Sequence, residues 1–179
     1  MTIGTYGGYD CLHRPDDFPL MARILSLFKP KTLVEIGTHF GGFASFLAHT
    51  SSAWGGQVIT IDAFRHPESK GLEDKYSNLT FLKDDLSACL SKKVVDILSK
   101  PECLLYCSRG GNKVLTWYSS YMGKRGLVGC HGWGLEVNPD DVIPVMVSFR
   151  FSRIFWRQFE ALAHPEWYPK SLSRFWWRR

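Results

Sequence analysis

The sequence predicts a single α/β domain built on a mostly parallel, twisted, Rossmann-like sheet with helices on both faces. Two observations support this fold class. Short apolar runs alternate along the chain with helix-like stretches, a pattern that is typical of βα units. The chain has 179 residues and contains neither an internal repeat nor a long linker. Its length is therefore that of one domain with a proper core.

The elements are predicted from the apolar runs and the residues that flank them. A helix capped by Asp16 or Asp17 runs to Phe28, because Asp favours a helix N-terminus and Pro30 disfavours continuation. Strands are predicted at 32–36, 57–62, 79–82, 103–107 and 126–130. Further helices are predicted at 43–49, 86–98, 114–121 and 142–149, and residues 66–76 are predicted as loop or short helix. We divide the domain into a helical lead-in (1–31), a cofactor-binding core (32–149) and a basic aromatic C-terminal segment (150–179).

Composition narrows the class of protein. The chain is 45% hydrophobic and 22% charged, which is ordinary for a globular domain. No apolar run approaches the roughly 18 residues of a membrane span, and the N-terminus lacks a signal-peptide pattern, so we expect a cytoplasmic protein. Five cysteines occur at irregular spacings without a C-x2-C pair. Buried reduced thiols are therefore expected rather than a zinc site.

The C-terminal segment carries the whole formal charge of the protein. Residues 150–179 contain seven basic and two acidic side chains, and they account for the net +5. The segment also holds Trp156, Trp167, Trp176 and Trp177. Arginines among aromatic residues suit nucleic acid, a membrane surface or an acidic partner. We favour the simpler alternative, a last strand or helix that docks on the sheet with its arginines facing water.

A glycine-rich turn follows the first predicted strand of the core. Gly37 can adopt backbone angles closed to other residues, while Gly41 and Gly42 would let a ligand approach the main chain. The helix that follows points free N–H groups at the turn. His39 stands where a dinucleotide fingerprint needs its second glycine, and the phosphate-binding P-loop pattern is also missing. The pattern that remains is E-x-G-x3-G, beginning at Glu35.

Two acidic residues come at the ends of the next two strands. Asp62 ends the second strand, where a carboxylate can accept hydrogen bonds from both hydroxyls of a ribose. Asp84 and Asp85 follow the third strand, on the side of the sheet where such folds bind ligands. The alternative is that the glycines only shape a turn and that Asp62 only caps the next segment.

The E-x-G-x3-G pattern resembles motif I of class I S-adenosyl-L-methionine (SAM)-dependent methyltransferases. The resemblance implies SAM as cofactor and S-adenosylhomocysteine (SAH) as product. It also implies that an acid after the third strand meets the adenine amino group, for which Asp85 fits better than Asp84. The predicted cofactor-binding residues are Glu35, Gly37, Thr38, His39, Phe40, Gly41, Gly42, Asp62, Ala63, Asp85 and Leu86.

A narrower resemblance covers residues 12–134. Residues 35–44, preceded by 14–17, resemble the cephalosporin hydroxylase and rhamnosyl O-methyltransferase group, whose members bind SAM and often use a divalent metal. Residues 104–113 and 129–134 resemble two further motifs of related methyltransferases. The chain departs from the group where Ser108 and Arg109 replace an expected aspartate and Gly132 replaces an expected acid. Hard cations need several carboxylate oxygens, so we expect no tight metal site.

Catalysis must then depend on positioning and on proton transfer. Methyl transfer gains most from alignment of the nucleophile, and a hydroxyl nucleophile gains from a general base. His131 ends the fifth strand and is the candidate base, with a purely structural histidine as the alternative. His39 is expected to pack against the cofactor or its own loop. Tyr106 and Trp133 are expected either to wall the substrate pocket or to pack in the core.

The sequence therefore predicts a SAM-dependent methyltransferase that acts on the hydroxyl of a small molecule or a sugar. One alternative is a nucleic-acid methyltransferase or binder that uses the basic tail, although neither the Asp/Asn-Pro-Pro-Tyr/Phe motif nor a Pro-Cys nucleophile occurs. A second is a non-catalytic SAM-binding protein, suggested by the missing metal acids. The acceptor and the oligomeric state stay open, with a homodimer among the options. No role is assigned to His13, His49, His66 or His164.

Overall fold

A computed structural model describes residues 4–13, 15, 17–108, 111–134, 136–153 and 174–178. The strands in chain order are β1 (Gly4–Tyr6), β2 (Tyr9–Cys11), β3 (Thr32–Ile36), β4 (Gln57–Asp62), β5 (Leu79–Lys83), β6 (Cys103–Cys107), β7 (Leu127–Cys130), β8 (Phe151–Arg153) and β9 (Arg174–Arg178). The helices are α1 (Asp17–Phe28), α2 (Gly42–Ser52), α3 (Leu72–Lys75), α4 (Lys92–Leu98), α5 (Gly111–Ser119) and α6 (Pro139–Ser148), with a short 3-10 turn at Pro67–Ser69.

Seven strands form the central sheet, in the order β5-β4-β3-β6-β7-β9-β8. The strands from β5 to β7 pair in parallel, and β9 runs antiparallel between β7 and β8. This arrangement confirms the predicted Rossmann-like α/β fold. The five strands predicted from the apolar runs are the five parallel neighbours at the centre of the sheet.

Both faces of the sheet are buried, because neighbouring residues of each central strand point to opposite sides. Leu104 packs against α1 and α2 in one core cluster, whereas Leu105 packs against α4, α5 and α6 in the other. Leu127 and Val128 divide in the same way. Continuous apolar runs therefore predicted these strands correctly, because the side chains on both faces of each strand must be apolar.

The strand order places a crevice at the carboxyl ends of the central strands. The chain enters the sheet at β3, adds β4 and β5 on one side, and then crosses to add β6 and β7 on the other. Ligands of open α/β sheets bind at such a switch point, outside the carboxyl ends of the strands. The predicted site residues after β3, β4 and β5 all lie at this edge.

Two local features differ from the predictions. The lead-in contains an antiparallel hairpin, β1–β2, in addition to α1, and the left-handed Gly7 and Gly8 form its turn. The helix predicted from Leu86 begins only at Lys92. The cause is local hydrogen bonding, because the Asp85 carboxylate accepts from the Ser87 N–H (3.1 Å) and hydroxyl (2.7 Å).

The C-terminal strand docks on the sheet, as predicted for the end of the basic aromatic segment. In β9, Phe175 and Trp176 are buried on opposite faces, next to β7. The Arg178 guanidinium donates to the carbonyl of Met122 and lies over the Phe151 ring, 5.9 Å from its centroid. The tail aromatics Trp156 and Trp167 lie outside the described residues. Part of the basic aromatic tail is therefore core structure rather than an exposed binding arm.

The cysteines are all free, and four of them are buried as expected. Cys89 is exposed instead, because it lies in the turn that replaces the first part of the predicted helix. Burial raises the pKa of Cys103 to about 12. The buried thiols therefore behave as small apolar side chains.

Gly42→Ala is expected to destabilise the protein by about 1–3 kcal/mol, because the new methyl group overpacks the contact with the hairpin. A Cβ at this position would lie 2.6 Å from the Asp10 carbonyl and 2.7 Å from Cys11 Cβ. Chemical denaturation measures the loss. Ser52→Ala, on the exposed side of the same helix, is the control and should change stability by less than about 0.5 kcal/mol. Equal stabilities of the two variants would contradict this packing.

Candidate functional site

A cleft of about 420 Å³ opens at the carboxyl ends of β3, β4 and β5. This volume lies within the range of roughly 300–1,000 Å³ that is usual for small-ligand sites. Its lining residues are Ile36, Gly37, Ile61, Asp62, Ala63, Phe64, Asp84, Asp85, Leu86, Ser87 and Val114. The cleft thus brings together five of the predicted cofactor residues, Gly37, Asp62, Ala63, Asp85 and Leu86. We call it the β3–β5 cleft.

Asp62 ends β4 at the edge of this cleft, and the main chain orients its carboxylate. Its Oδ2 accepts a hydrogen bond from the His39 N–H (3.2 Å), and its Oδ1 accepts one from the Phe64 N–H (3.3 Å). A carboxylate oxygen has more than one acceptor site, so each oxygen can still accept from a ligand hydroxyl. The geometry therefore suits a diol, and the ribose contact stays a prediction.

Asp85 also lines the cleft, just after the end of β5. The Ser87 hydroxyl and N–H hold the pKa of this carboxyl below its ordinary value, so it is ionised at neutral pH. Leu86 beside it is buried and gives the wall an apolar surface. An apolar side chain next to a hydrogen-bond acceptor suits a base with an exocyclic amino group, although the adenine contact stays a prediction.

The charge of the cleft favours neutral and cationic ligands. Its lining contains three carboxylates, those of Asp62, Asp84 and Asp85, and none of the described lining residues is basic. Such a lining repels phosphate groups and attracts positive charge. A sulfonium nucleoside therefore fits this cleft, while a nucleotide polyphosphate does not.

The glycine turn after β3 has the strained backbone that its sequence predicted. Gly37 and Gly41 have φ angles of 98° and 93°, and His39 has a φ of 49°, which is uncommon for a residue with a side chain. A Cβ on Gly41 would lie 2.6 Å from Leu72 Cδ1. Protein atoms thus fill the space beside Gly41 and Gly42, and contact of these two residues with the cofactor stays a prediction.

Glu35 is fully buried beneath this turn in a chain of hydroxyl contacts. Its carboxyl accepts from the hydroxyls of Thr60 (2.6 Å) and Ser108 (3.3 Å), and Thr60 in turn contacts the Thr38 hydroxyl (2.6 Å). Burial raises the pKa of Glu35 to about 8, against the lowering effect of these hydrogen bonds. At neutral pH most of the protein therefore holds this carboxyl in its neutral form.

A second, smaller pocket of about 20 Å³ lies between the hairpin and the glycine turn. Its lining residues are Asp10, Cys11, Leu12, His13, Glu35, Gly37, Thr38, His39, Gly42, Phe43 and Ser108. Gly37 lines both this hairpin pocket and the β3–β5 cleft. A ligand that fills the cleft and passes Gly37 would therefore reach the polar groups of the hairpin pocket.

The candidate base His131 follows β7 and is 5% exposed. Its ring lies 4.5 Å from the ring of His13, measured between centroids. His13 lines the hairpin pocket, and its Nε2 lies 3.2 Å from the Tyr106 hydroxyl. Sequence reasoning gave His13 no role. Recognition of the hairpin from its Gly-Gly turn would have placed this histidine near the glycine turn.

The remaining predicted residues lie around these pockets. Tyr106 is fully buried in the core, and only its hydroxyl reaches His13. Trp133 packs beside Trp176 with a centroid distance of 5.1 Å. Phe40 contacts His66 edge-on at 4.4 Å. Tyr106 and Trp133 therefore line neither pocket, and their contact with the acceptor stays a prediction.

The described residues do not fit a divalent metal. Ser108, which stands where the related group places an acid, donates its hydroxyl to Glu35. Gly132, the residue after His131, replaces the second expected acid and has no side chain that could bind a metal. No group of three or more His, Cys, Asp and Glu side chains is arranged for metal binding within the described part of the chain.

Known proteins share the sequence family and the fold of this chain. Residues 2–107 match the sequence profile of the rhamnosyl O-methyltransferase/CmcI family. An apo structure of CmcI aligns with 98% of this chain and 76% of its own, at 18% identity and a TM-score of 0.69. A Mg–SAM structure of CmcI aligns with 98% and 77%, at 16% identity and a TM-score of 0.68.

A putative O-methyltransferase from Klebsiella pneumoniae is also similar in structure. It aligns with 79% of this chain and 72% of its own, at 17% identity and a TM-score of 0.59. No curated protein matches the sequence. In the described residues, no helix is both long and apolar enough to cross a bilayer. The family match covers more than half of the chain, so the protein belongs to the rhamnosyl O-methyltransferase/CmcI family and is a SAM-dependent methyltransferase.

Proposed function

We propose that this enzyme methylates a hydroxyl group of a small molecule or a sugar, with His131 as the general base. The observation that carries the proposal is the acidic β3–β5 cleft, which meets the hairpin pocket at Gly37. The cleft suits the nucleoside part of SAM, and His13 of the adjoining pocket lies next to the candidate base His131. The family name points to sugar hydroxyls as the first acceptors to test.

The protein contributes mainly by binding and alignment. SAM supplies a methyl group on a positively charged sulfur. Asp62 would hold the ribose hydroxyls and Asp85 the adenine, which fixes the nucleoside at one end. Phe64 is 64% exposed at the cleft and gives the nucleoside an apolar surface to cover. Alignment of this kind supplies much of the acceleration of a transfer reaction.

Proton removal is the second task. An alcohol is a poor nucleophile until its proton moves to a base as the bond to carbon forms. His131 lies at the carboxyl end of β7, on the side of the sheet where the cleft opens. An imidazole ring nitrogen can accept this proton, and histidine is the side chain most often used for general base catalysis. The acceptor would lie between this ring and the hairpin pocket.

Titration with SAM and SAH, followed by methyl-transfer assays on rhamnosides and other sugar alcohols, tests the proposal. The wild type should bind both ligands and methylate at least one sugar hydroxyl. His131→Gln should bind SAH within twofold of the wild type but lower kcat by about 100-fold, as expected when a general base is lost. Unchanged kcat in His131→Gln would remove the base assignment. Transfer to RNA but to no sugar would overturn the acceptor class.

The cytoplasmic location stays a prediction, and the oligomeric state stays open. The three-part division of the chain at residues 31 and 149 is likewise a proposal. Limited proteolysis tests it, because cleavage should concentrate near these boundaries if they separate distinct units.

A further inference from the structure

His13 is held tightly at the point where the hairpin meets the sheet. It follows β2 and is 2% exposed. Its ring stacks on Phe43, with centroids 4.1 Å apart and planes 12° apart. Its Nε2 lies 3.2 Å from the hydroxyl of Tyr106 on β6. Two contacts from two different elements therefore fix both the plane and the rotation of this imidazole.

The rings of His13 and His131 form a buried pair. Their centroids are 4.5 Å apart, and their planes are tilted by 50°. Two positive charges at this distance in a buried site repel each other strongly, so the pair accommodates at most one proton near neutral pH. Burial, together with the neighbouring His131, holds the pKa of His13 well below its ordinary value. In the proposed reaction His131 is the base, so it is the ring of this pair that takes up the proton.

The other titratable groups near His13 do not counter this preference. From β2, the Cys11 thiol donates to the His13 carbonyl, and Asp10 lines the same pocket. From β3, Glu35 faces the pocket, but its hydrogen bonds come from Thr60 and Ser108. Within the described residues, Nδ1 of His13 is buried without a hydrogen-bond partner. The ring therefore lacks the carboxylate contact that would favour its charged form.

We propose that His13 is a positioning residue that acts through His131, holding that ring in place and remaining neutral so that His131 receives the proton. The inference rests on the proposed function, in which His131 is the general base. In the transfer, a bond forms between the acceptor oxygen and the methyl carbon, and the methyl–sulfur bond breaks. The hydroxyl proton moves to a ring nitrogen of His131, and SAH leaves as the neutral sulfide.

Two variants of His13 separate its ring from its nitrogen atoms. His13→Phe keeps a flat ring against Phe43 but cannot hydrogen-bond, whereas His13→Gln can still reach the Tyr106 hydroxyl. We expect His13→Phe to lower kcat at least 10-fold and to displace the acidic limb of the kcat–pH profile, with SAH affinity within twofold of the wild type. His13→Gln should keep more of the wild-type kcat, and the acidic limb of its kcat–pH profile should be displaced less.

His49→Gln is the matched control. His49 lies on α2 and, like His13, bonds a tyrosine hydroxyl, that of Tyr6 in the hairpin, at 2.7 Å. This contact is exposed and belongs to neither pocket. The control should keep the wild-type pH profile and SAH affinity. If His13→Phe and His13→Gln lost kcat, SAH binding and stability equally, His13 would have only a structural role in the core. That result would overturn the proposal.

Nitrogen-15 spectra of the histidine rings test the pair without an acceptor. In the SAH-bound full chain, His13 should stay a single neutral tautomer from pH 5 to 8, and Tyr106→Phe should shift the ring signals of both His13 and His131. Titration of His13 near pH 6.5, or unchanged His131 signals in both His13 variants, would overturn the inference while leaving SAH binding intact. If the rings behave as expected but no hydroxyl is methylated, the proposed acceptor class fails instead.

Discussion

Asp62→Ala is expected to weaken SAH binding by about 100-fold, which corresponds to about 2.7 kcal/mol. The carboxylate is the group placed to accept hydrogen bonds from both ribose hydroxyls, and hydrogen bonds to charged groups contribute about 1.5–3 kcal/mol each. Both hydroxyls bond the same carboxylate and their contributions are not additive, so the expected loss is smaller than the sum of two bonds. Calorimetric titration with SAH measures the change directly.

Controls separate the ribose contact from the support that Asp62 gives to the glycine turn. Asp62→Asn keeps one carbonyl acceptor but loses the charge, so its affinity should fall by about 10-fold, as expected when a charge-assisted bond becomes a neutral one. Asp74→Ala on α3 removes an exposed acid outside the cleft and should leave affinity unchanged. Both Asp62 variants should unfold within about 1 kcal/mol of the wild type, since the hydrogen bonds to Asp62 are exposed or only partly buried, so water can replace a lost acceptor.

An unchanged affinity in Asp62→Ala would remove the ribose assignment alone. If the wild type bound neither SAM nor SAH, the cofactor assignment itself would be contradicted.

The acids of the cleft offer a second comparison, because SAM carries a positive sulfur and SAH does not. If the charge of Asp62, Asp84 and Asp85 contributes to binding, raising the salt concentration should weaken SAM binding more than SAH binding.

The central fold could be predicted from sequence because each core strand is buried on both faces. A run such as Leu104 and Leu105 is apolar at successive positions, and this pattern can be recognised in the sequence without knowing which strands lie next to each other. The glycine turn and Asp62 were predicted for a related reason. Their roles depend on backbone angles and strand ends, which are local properties of the chain.

Contacts between distant segments could not be predicted in this way. His13 and His131 are far apart in sequence, and only the docking of the hairpin on α2 brings their rings together. The turn at Leu86 escaped prediction because the hydrogen bonds of Asp85 and Ser87 override a good helical pattern. Tyr106 similarly resembles any buried aromatic until the structure places its hydroxyl beside His13.

The stability of the wild type is expected to fall as pH rises, because of Glu35. Its pKa is raised from an ordinary 4.5 to about 8 in the folded protein, whereas the unfolded chain releases this proton near pH 4.5. Between these values the folded state binds more protons than the unfolded state, so the free energy of unfolding decreases as pH increases. At about 1.4 kcal/mol for each pH unit, the upper limit of the change is about 4–5 kcal/mol.

His13 opposes this trend at the acidic end. Its pKa lies well below 6.5 in the folded protein, so below pH 6.5 the unfolded chain binds the extra proton and acid destabilises the fold. Above pH 8 the raised pKa values of the buried thiols begin to contribute. The clearest window for Glu35 is therefore pH 6.5–8, where urea denaturation should show a decrease of about 2 kcal/mol.

Glu35→Gln isolates the effect of this one carboxyl. The amide keeps the shape and cannot ionise, and the hydroxyls of Thr60 and Ser108 can rotate to suit its oxygen and nitrogen. The variant should lose the decline between pH 6.5 and 8 and become more stable than the wild type at the upper end. Glu73→Gln is the control of opposite sign. The Phe81 N–H, followed by Arg65, holds the pKa of Glu73 below its ordinary value, so its stabilisation is present above the unfolded pKa and is lost only in acid.

The same carboxyl is predicted to connect stability to cofactor binding. Glu35 lines the hairpin pocket, which adjoins the predicted cofactor cleft at Gly37, and a positive ammonium group of the cofactor near Gly37 would favour the ionised carboxylate. Binding of SAH at pH 7 should then release a proton from Glu35, and the calorimetric heat should change with the ionisation enthalpy of the buffer. In Glu35→Gln this buffer dependence should disappear. A buffer dependence of equal size in the variant would show that the proton comes from another group, even if the stability profile is as expected.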